Sequence, residues 1–179
     1  MNNLLAADHA ELDALLKEIF AELESGDAGR VYQSLDFFWA RLAMHIRAEH
    51  LHLFPALLRA FDSPQVEEKR GLSLKIIKSK IAQLKSDHDF FMRKLSAAIK
   101  QIRELQGINQ SDNSPPLSSV REKIFAVRRR LELHNEIEES EVYRWAETLF
   151  DAAERVDLNE RMRKELENLP PRFDKSKDE

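Results

Sequence analysis

The chain contains no cysteine, which removes disulfides, thiolate metal sites and cysteine nucleophiles at once. Glycine and proline are scarce, 4 and 6 among 179 residues, so few positions favour turns or breaks. No uninterrupted apolar stretch approaches the roughly 20 residues of a membrane span. The opening residues, Met1-Asn2-Asn3-Leu4-Leu5-Ala6-Ala7-Asp8, lack the basic start and apolar run of a secretory signal. Charge of one sign is missing too: 28 basic and 32 acidic residues leave a net charge of −4, which gives no general attraction to nucleic acid or to an anionic bilayer. These absences predict a cytoplasmic protein with neither nucleic acid nor membrane as a partner.

What is present is helix-forming sequence. Leu, Ala, Glu, Lys and Arg dominate between a few interruptions: Gly26 and Gly29, Ser63-Pro64, residues 107–116, and Pro170-Pro171. The pattern predicts helices at about 2–25, 30–61, 65–106 and 118–150, and a shorter one at about 157–169. Ser119 with Glu122, and Asp157 with Glu160, have capping-box spacing, and Pro64 suits a first helical position. The expected architecture is all-α, an antiparallel up-down four-helix bundle with a short C-terminal helix. Residues 1–169 would form one domain, and 170–179 a flexible charged tail.

Each long segment carries an apolar stripe at alternating three- and four-residue steps. The first is Leu5, His9, Leu12, Leu16, Ile19, Leu23. The second is Leu35, Phe38, Leu42, His45, Glu49, His52, Ala56. The third runs Ile81, Leu84, His88, Phe91, Leu95, Ala98, Ile102, Leu105. The fourth runs Val120, Ile124, Val127, Leu131, His134, Glu138, Val142, Trp145, Leu149. Every stripe therefore places a histidine where an apolar residue belongs, and two add a glutamate one turn later.

That spacing alone is weak, because glutamate is common in this chain. The registration on the core stripe decides the matter. An unpartnered buried carboxylate costs several kcal/mol or more, so two carboxylates and four imidazoles aimed at one core demand cations or an extensive hydrogen-bond network. Depth agrees. His9 lies 16 residues before Ser25 and His45 lies 16 after Gly29, which puts both roughly 24 Å from the turn of an antiparallel hairpin. His88 and His134 are nearly level in the second hairpin, whereas the match between helices two and three is poorer. The halves look like a repeat: Asp8-His9 with His45-x-x-x-Glu49, then Asp87-His88 with His134-x-x-x-Glu138.

Across about residues 4–150 the chain resembles the hemerythrin-like, or HHE cation-binding, family. Asp8-His9, the run from His45 through Glu49 to Leu53-Phe54-Pro55, Asp87-His88, and His134 through Glu138 and Glu139 carry the resemblance. It implies a di-iron centre with His9, His45, His88 and His134 as terminal ligands and Glu49 and Glu138 as bridges, with at least one exchangeable position. Histidine and carboxylate suit iron or manganese, and zinc fits the same groups. Two departures separate the chain from the oxygen carriers. Met92 stands where the carriers have a further histidine, and the carriers' aspartate five residues after the fourth-helix histidine is Glu139 here. The ligand set looks more like the branch linked to nitric oxide stress and repair of iron centres, without the cysteine-bearing segment often found there.

The neighbouring residues carry blander expectations. His50 turns off the stripe, toward the surface or behind a ligand. His52 suits a rim position better than an auxiliary ligand, and Glu139 is the reserve candidate for the bridge. Asp8 and Asp87 would face solvent or stand behind the ligands. Pro55 would bend helix two, and Arg128-Arg129-Arg130 would be solvated rather than a nucleic-acid patch. Met92 is expected beside the metals. The leading functional expectation is binding, sensing or reduction of dioxygen, nitric oxide or peroxide at an open metal position. The alternatives are an iron reservoir, donor or regulatory module without turnover, and a bundle that metal merely stabilises.

Overall fold

The computed structural model describes residues 2–61, 73–107 and 117–173, and every regular element among them is helical. Helix α1 spans Asn2–Ser25 and α2 spans Ala28–Ala48. Between them Gly26 takes φ 77°, the left-handed conformation that ends a helix without a Cβ penalty. Asp27 then starts α2, its carboxylate accepting from the amides of Gly29 at 2.9 Å and Arg30 at 3.0 Å. A π-helical turn, Glu49–Leu53, joins α2 to α3, Phe54–Phe61. After it come α4, Leu74–Gly107, and α5, Leu117–Ile137. A second π-helical turn, Glu138–Val142, leads into α6, Tyr143–Leu149. Helix α7, Ala152–Glu167, and a single 3-10 turn, Pro171–Phe173, complete the described chain.

Two expected start signals fall elsewhere. Helix α5 already runs at Leu117, so Ser119 is not its cap; the Ser119 hydroxyl instead lies 2.8 Å from the ammonium of Lys123. The last helix begins earlier than residue 157, with a capping box formed by Asp151 and Glu154. The Asp151 carboxylate accepts from the Glu154 amide at 2.8 Å, and the Glu154 carboxylate accepts from the Asp151 amide at 2.8 Å. Asp157 lies inside that helix and pairs with Arg161. Ser63-Pro64 and most of the expected 107–116 loop lie outside the described residues.

Helix α1 packs on α2 and α5, α2 on α4, and α4 on α5. Two apolar cores result. One gathers Leu12, Leu16, Phe38, Leu42, Phe91, Leu95, Val127 and Leu131. The other gathers Leu5, Leu53, Phe54, Leu57, Leu84, Tyr143, Trp145 and residues of α7. The expected histidines sit where the chain passes from one core to the other. His9 lies between Leu5 and Leu12, His88 between Leu84 and Phe91, and His134 between Leu131 and Val142. A polar layer is thus sandwiched between two dry ones.

Helix α7 closes the second core with Leu158, Met162 and Leu166 and lies against α2 and the Glu49–Leu53 turn. Arg47 pairs with Glu165 at 2.7 Å. Two residues of the expected tail are also held: Arg172 donates twice to Asp36 at 3.0 Å, and Phe173 meets Phe37 edge-on at 5.3 Å. No helix among the described residues is long and apolar enough to cross a membrane.

Candidate metal centre

The two π-helical turns begin at the two glutamates on the core stripe. In each, an amide five residues on closes the turn: Phe54 donates to the Glu49 carbonyl and Tyr143 to the Glu138 carbonyl. Such a turn holds one residue more than an α-turn and recurs at functional sites. It also moves the buried face by one position. In the second helix the expected stripe continued through His52 and Ala56, but both are only partly buried, and Leu53, Phe54 and Leu57 take the interior. His52 sits at the rim, 3.7 Å from Glu165. Pro55 directly follows the first widened turn, where its missing N–H and its ring are easier to accommodate than in a tight helix.

All six residues expected as ligands are buried and converge. His9 and His45 bring their Nε2 atoms to 3.2 Å from each other, and His88 and His134 bring theirs to 3.0 Å. Each glutamate, fully buried at 0% exposure, extends one oxygen toward each imidazole pair. Glu49 Oε1 is 3.6 Å from His45 Nε2, and Oε2 is 3.3 Å from His88 Nε2. Glu138 Oε2 is 3.3 Å from His9 Nε2, and Oε1 is 3.0 Å from His134 Nε2. Glu49, His88, His134 and Glu138 form one compact donor group, and His9, His45 and Glu138 form a second.

The outward-facing nitrogens are all occupied. Asp8 Oδ2 lies 2.8 Å from His45 Nδ1, Glu139 Oε1 lies 2.8 Å from His9 Nδ1, and Asp87 Oδ2 lies 3.3 Å from His134 Nδ1. His50 Nε2 lies 2.9 Å from His88 Nδ1. Asp8 and Asp87 are therefore buried behind the histidines rather than facing solvent, and an arginine backs each one. Arg41 bonds Asp8, and Arg130 bonds Asp87 at 2.6 Å, each arginine lying four residues before the histidine its aspartate holds. Arg130 is thus tied to the site, while Arg128 pairs with Glu132 along its own helix. Glu139, the reserve bridge, does not join the inner group. Its carboxylate is 46% exposed and approaches His9 from outside.

These contacts decide the protonation pattern. An ionised carboxylate only accepts, so His9, His45 and His134 carry their proton on Nδ1 and, when neutral, present an Nε2 lone pair inward. Burial holds His50 below its ordinary pKa, helped by His88 and Lys85, which leaves it neutral and able to accept from His88 Nδ1–H. In each pair, two lone pairs then face each other at about 3 Å, with carboxylate oxygens alongside. Glu49 Oε2 and Glu138 Oε1 make no well-aligned hydrogen bond despite complete burial. Without a cation, protons must serve. Burial disfavours a charged His45, but Glu49 and Asp8 outweigh it and raise its pKa well above the ordinary value. Burial likewise opposes a charged His134, and Glu138 and Glu49 raise it nonetheless. Burial would push Glu49 up, yet His45 and His88 draw it well below the usual carboxylate range. Burial and Glu49 would raise Glu138, and His134 and His9 lower it. The donor set, its orphaned oxygens and its fixed tautomers fit a pair of cations.

One central group was not expected. The Tyr143 hydroxyl lies 3.2 Å from His9 Nε2, Glu49 Oε1 and Glu138 Oε2 alike. A strict helical stripe passes through Val142; only the widened turn swings Tyr143 inward. The legible signal was the repeat itself, since Tyr143 follows Glu138 by five residues as Phe54 follows Glu49. Aromatic rings close in on the other pair. Phe54 stacks on His88 with planes 13° apart, and Phe91 meets His134 edge-on at 5.3 Å. Met92, one turn beyond His88, is partly buried and packs against the core that contains Leu95 and Leu131.

The fold and site define a helical protein with a buried histidine–carboxylate centre. The sequence model of the hemerythrin HHE cation-binding domain matches residues 1–146, and the chain belongs to that family. No curated protein and no solved structure matches it.

Proposed function

We propose that the chain holds two iron ions, one between each imidazole pair, and that the loaded protein binds, senses or reduces dioxygen, nitric oxide or peroxide. The observation that carries this reading is the paired geometry: two sets of facing Nε2 atoms, with each of two buried glutamates supplying one oxygen to each set. His9, His45, His88 and His134 would be terminal ligands, and Glu49 and Glu138 bridges. Zinc or manganese fits the same donors. The helices that carry them would form an antiparallel up-down four-helix bundle, capped by α7. A cytoplasmic place of work is part of the same proposal.

Bound iron would supply an electron-transfer centre with an exchangeable position. The chain's own part is positioning and exclusion. Asp8, Asp87, Glu139 and His50 hold the imidazoles in the ligating tautomer. Phe54 and Phe91 pack against the His88 and His134 rings, and the two apolar cores lie above and below the polar layer. Met92 adds no imidazole where the oxygen carriers have one, which favours reaction with the oxidant over reversible carriage.

The test is oxygenation of the anaerobic ferrous protein. Rapid oxidation is expected, with no optical spectrum that reverses on degassing; a stable, reversible spectrum would place the chain with the carriers. Turnover under a reductant separates a reactive centre from an iron reservoir or a sensing module.

A further inference from the structure

The two halves of the chain repeat around the polar layer, with Glu139 behind His9 where His50 stands behind His88, and they differ again in the ring packed on each of those histidines. Five residues after each core glutamate, beyond a π-helical turn, an aromatic ring stacks on a histidine of the centre. Phe54 lies on His88 with centroids 6.2 Å apart, and Tyr143 lies on His9 at 5.8 Å with planes 29° apart. Phe54 ends in a C–H; Tyr143 ends in a hydroxyl. That hydroxyl has no exposure to solvent and sits equidistant from three acceptors, His9 Nε2, Glu49 Oε1 and Glu138 Oε2. It owns one proton, so at most one of the three contacts is an ordinary hydrogen bond, and the others set oxygen lone pairs against lone pairs.

The spacing matches something else. Neighbouring donors around a cation with bonds of about 2.1 Å stand roughly 3 Å apart. Tyr143 Oη keeps close to that distance, 3.2 Å, from His9 Nε2, Glu49 Oε1 and Glu138 Oε2. That side is also the looser one: His9, His45 and Glu138 form its compact group, and its second carboxylate oxygen, Glu49 Oε1, stands 3.6 Å from His45.

We propose that Tyr143 is a seventh protein ligand, its phenol oxygen completing the cation site of His9, His45 and Glu138. The proposal rests on the metal-centre reading above. Coordination replaces the O–H bond by an oxygen–metal bond and releases the proton to solvent, as ligation of other protic side chains does. The chain then holds its two cations unequally: a phenolate on the His9 side, a phenyl ring in the matching place on the His88 side.

The experiment uses the full-length protein loaded with ferric iron. The protein should show a broad phenolate-to-iron charge-transfer band in the visible and tyrosinate ring modes in resonance Raman excited within it. Tyr143→Phe should lose both, while metal analysis still finds iron. Phe54 already shows that the fold accepts a phenyl ring in this setting, and circular dichroism of the metal-free variant checks it. Phe54→Tyr in the Tyr143→Phe background should restore a phenolate band from the opposite side. Iron bound without any phenolate band, or a band unchanged in Tyr143→Phe, overturns the proposal and leaves the iron centre standing. Failure of the unaltered protein to bind iron overturns both.

Discussion

Replacing Asp8 by asparagine tests whether the carboxylates behind the histidines set the state of the centre. The side chain keeps its shape, and Arg41 retains Glu11 at 2.6 Å, so the fold should persist. What changes is the proton. Asp8 accepts from His45 Nδ1 at 2.8 Å in a buried position, whereas an asparagine amide can donate to that nitrogen and drive the ring proton to Nε2, where the metal must bind. Loss of such a partner typically costs about 10- to 100-fold in metal affinity, or about 1.4–2.7 kcal/mol. Asp87→Asn is the internal comparison. Its contact with His134 is longer, 3.3 Å, and its arginine is 41% exposed against 15% for Arg41, so its cost should fall toward the lower end. Anaerobic ferrous titration against a chromophoric chelator gives both affinities, and melting of the metal-free variants checks the fold. Asp8→Asn within about twofold of the parent, under about 0.5 kcal/mol, would refute the claim that the carboxylate holds the ligating tautomer.

Glu138→Ala should lower the metal count below two per chain, because this residue gives an oxygen to each imidazole pair. Glu139→Ala should retain both metals with weakened affinity, and the reverse pattern would mean that the register around the second π-helical turn is wrong. Metal at a thousandfold excess over its Kd should stabilise the fold by about 4 kcal/mol, roughly 8–16 °C in Tm for a chain of this length; an unchanged Tm on chelation would mean that these side chains share no buried site. For the metal-free protein, raised values at His45 and His134 contribute stability that is complete below about pH 6.5 and lost as pH climbs through them. Lowered values at Glu49 and Glu138 contribute stability that is present above about pH 4.3 and lost as pH falls through them. Its Tm should therefore peak in mild acid and decline toward pH 8, while the metal-dependent gain grows over the same range because ligation needs neutral imidazole. A metal-free Tm that rises from pH 6 to pH 8 would contradict this.

The sequence by itself determined the helical class and the identity of the inner polar residues. Both follow from periodicity: a buried stripe repeats every three to four residues, and a histidine or glutamate on it breaks the apolar pattern wherever it falls. His9, His45, Glu49, His88, His134 and Glu138 were legible for that reason, and all six are buried and drawn together. Everything that depended on departure from strict helical period was decided by the tertiary structure. The π-helical turns at Glu49 and Glu138 insert a residue each, which took Ala56 off the buried face and brought the Tyr143 hydroxyl among the buried histidine and glutamate side chains. The partners of the outward nitrogens were hidden for a different reason. Asp8 sits beside His9 in sequence yet serves His45, and Glu139 sits beside Glu138 yet serves His9. Neighbours on a helix point about 100° apart, so which histidine an adjacent carboxylate reaches is settled by the helix packed alongside, and no reading of one helix alone contains that information.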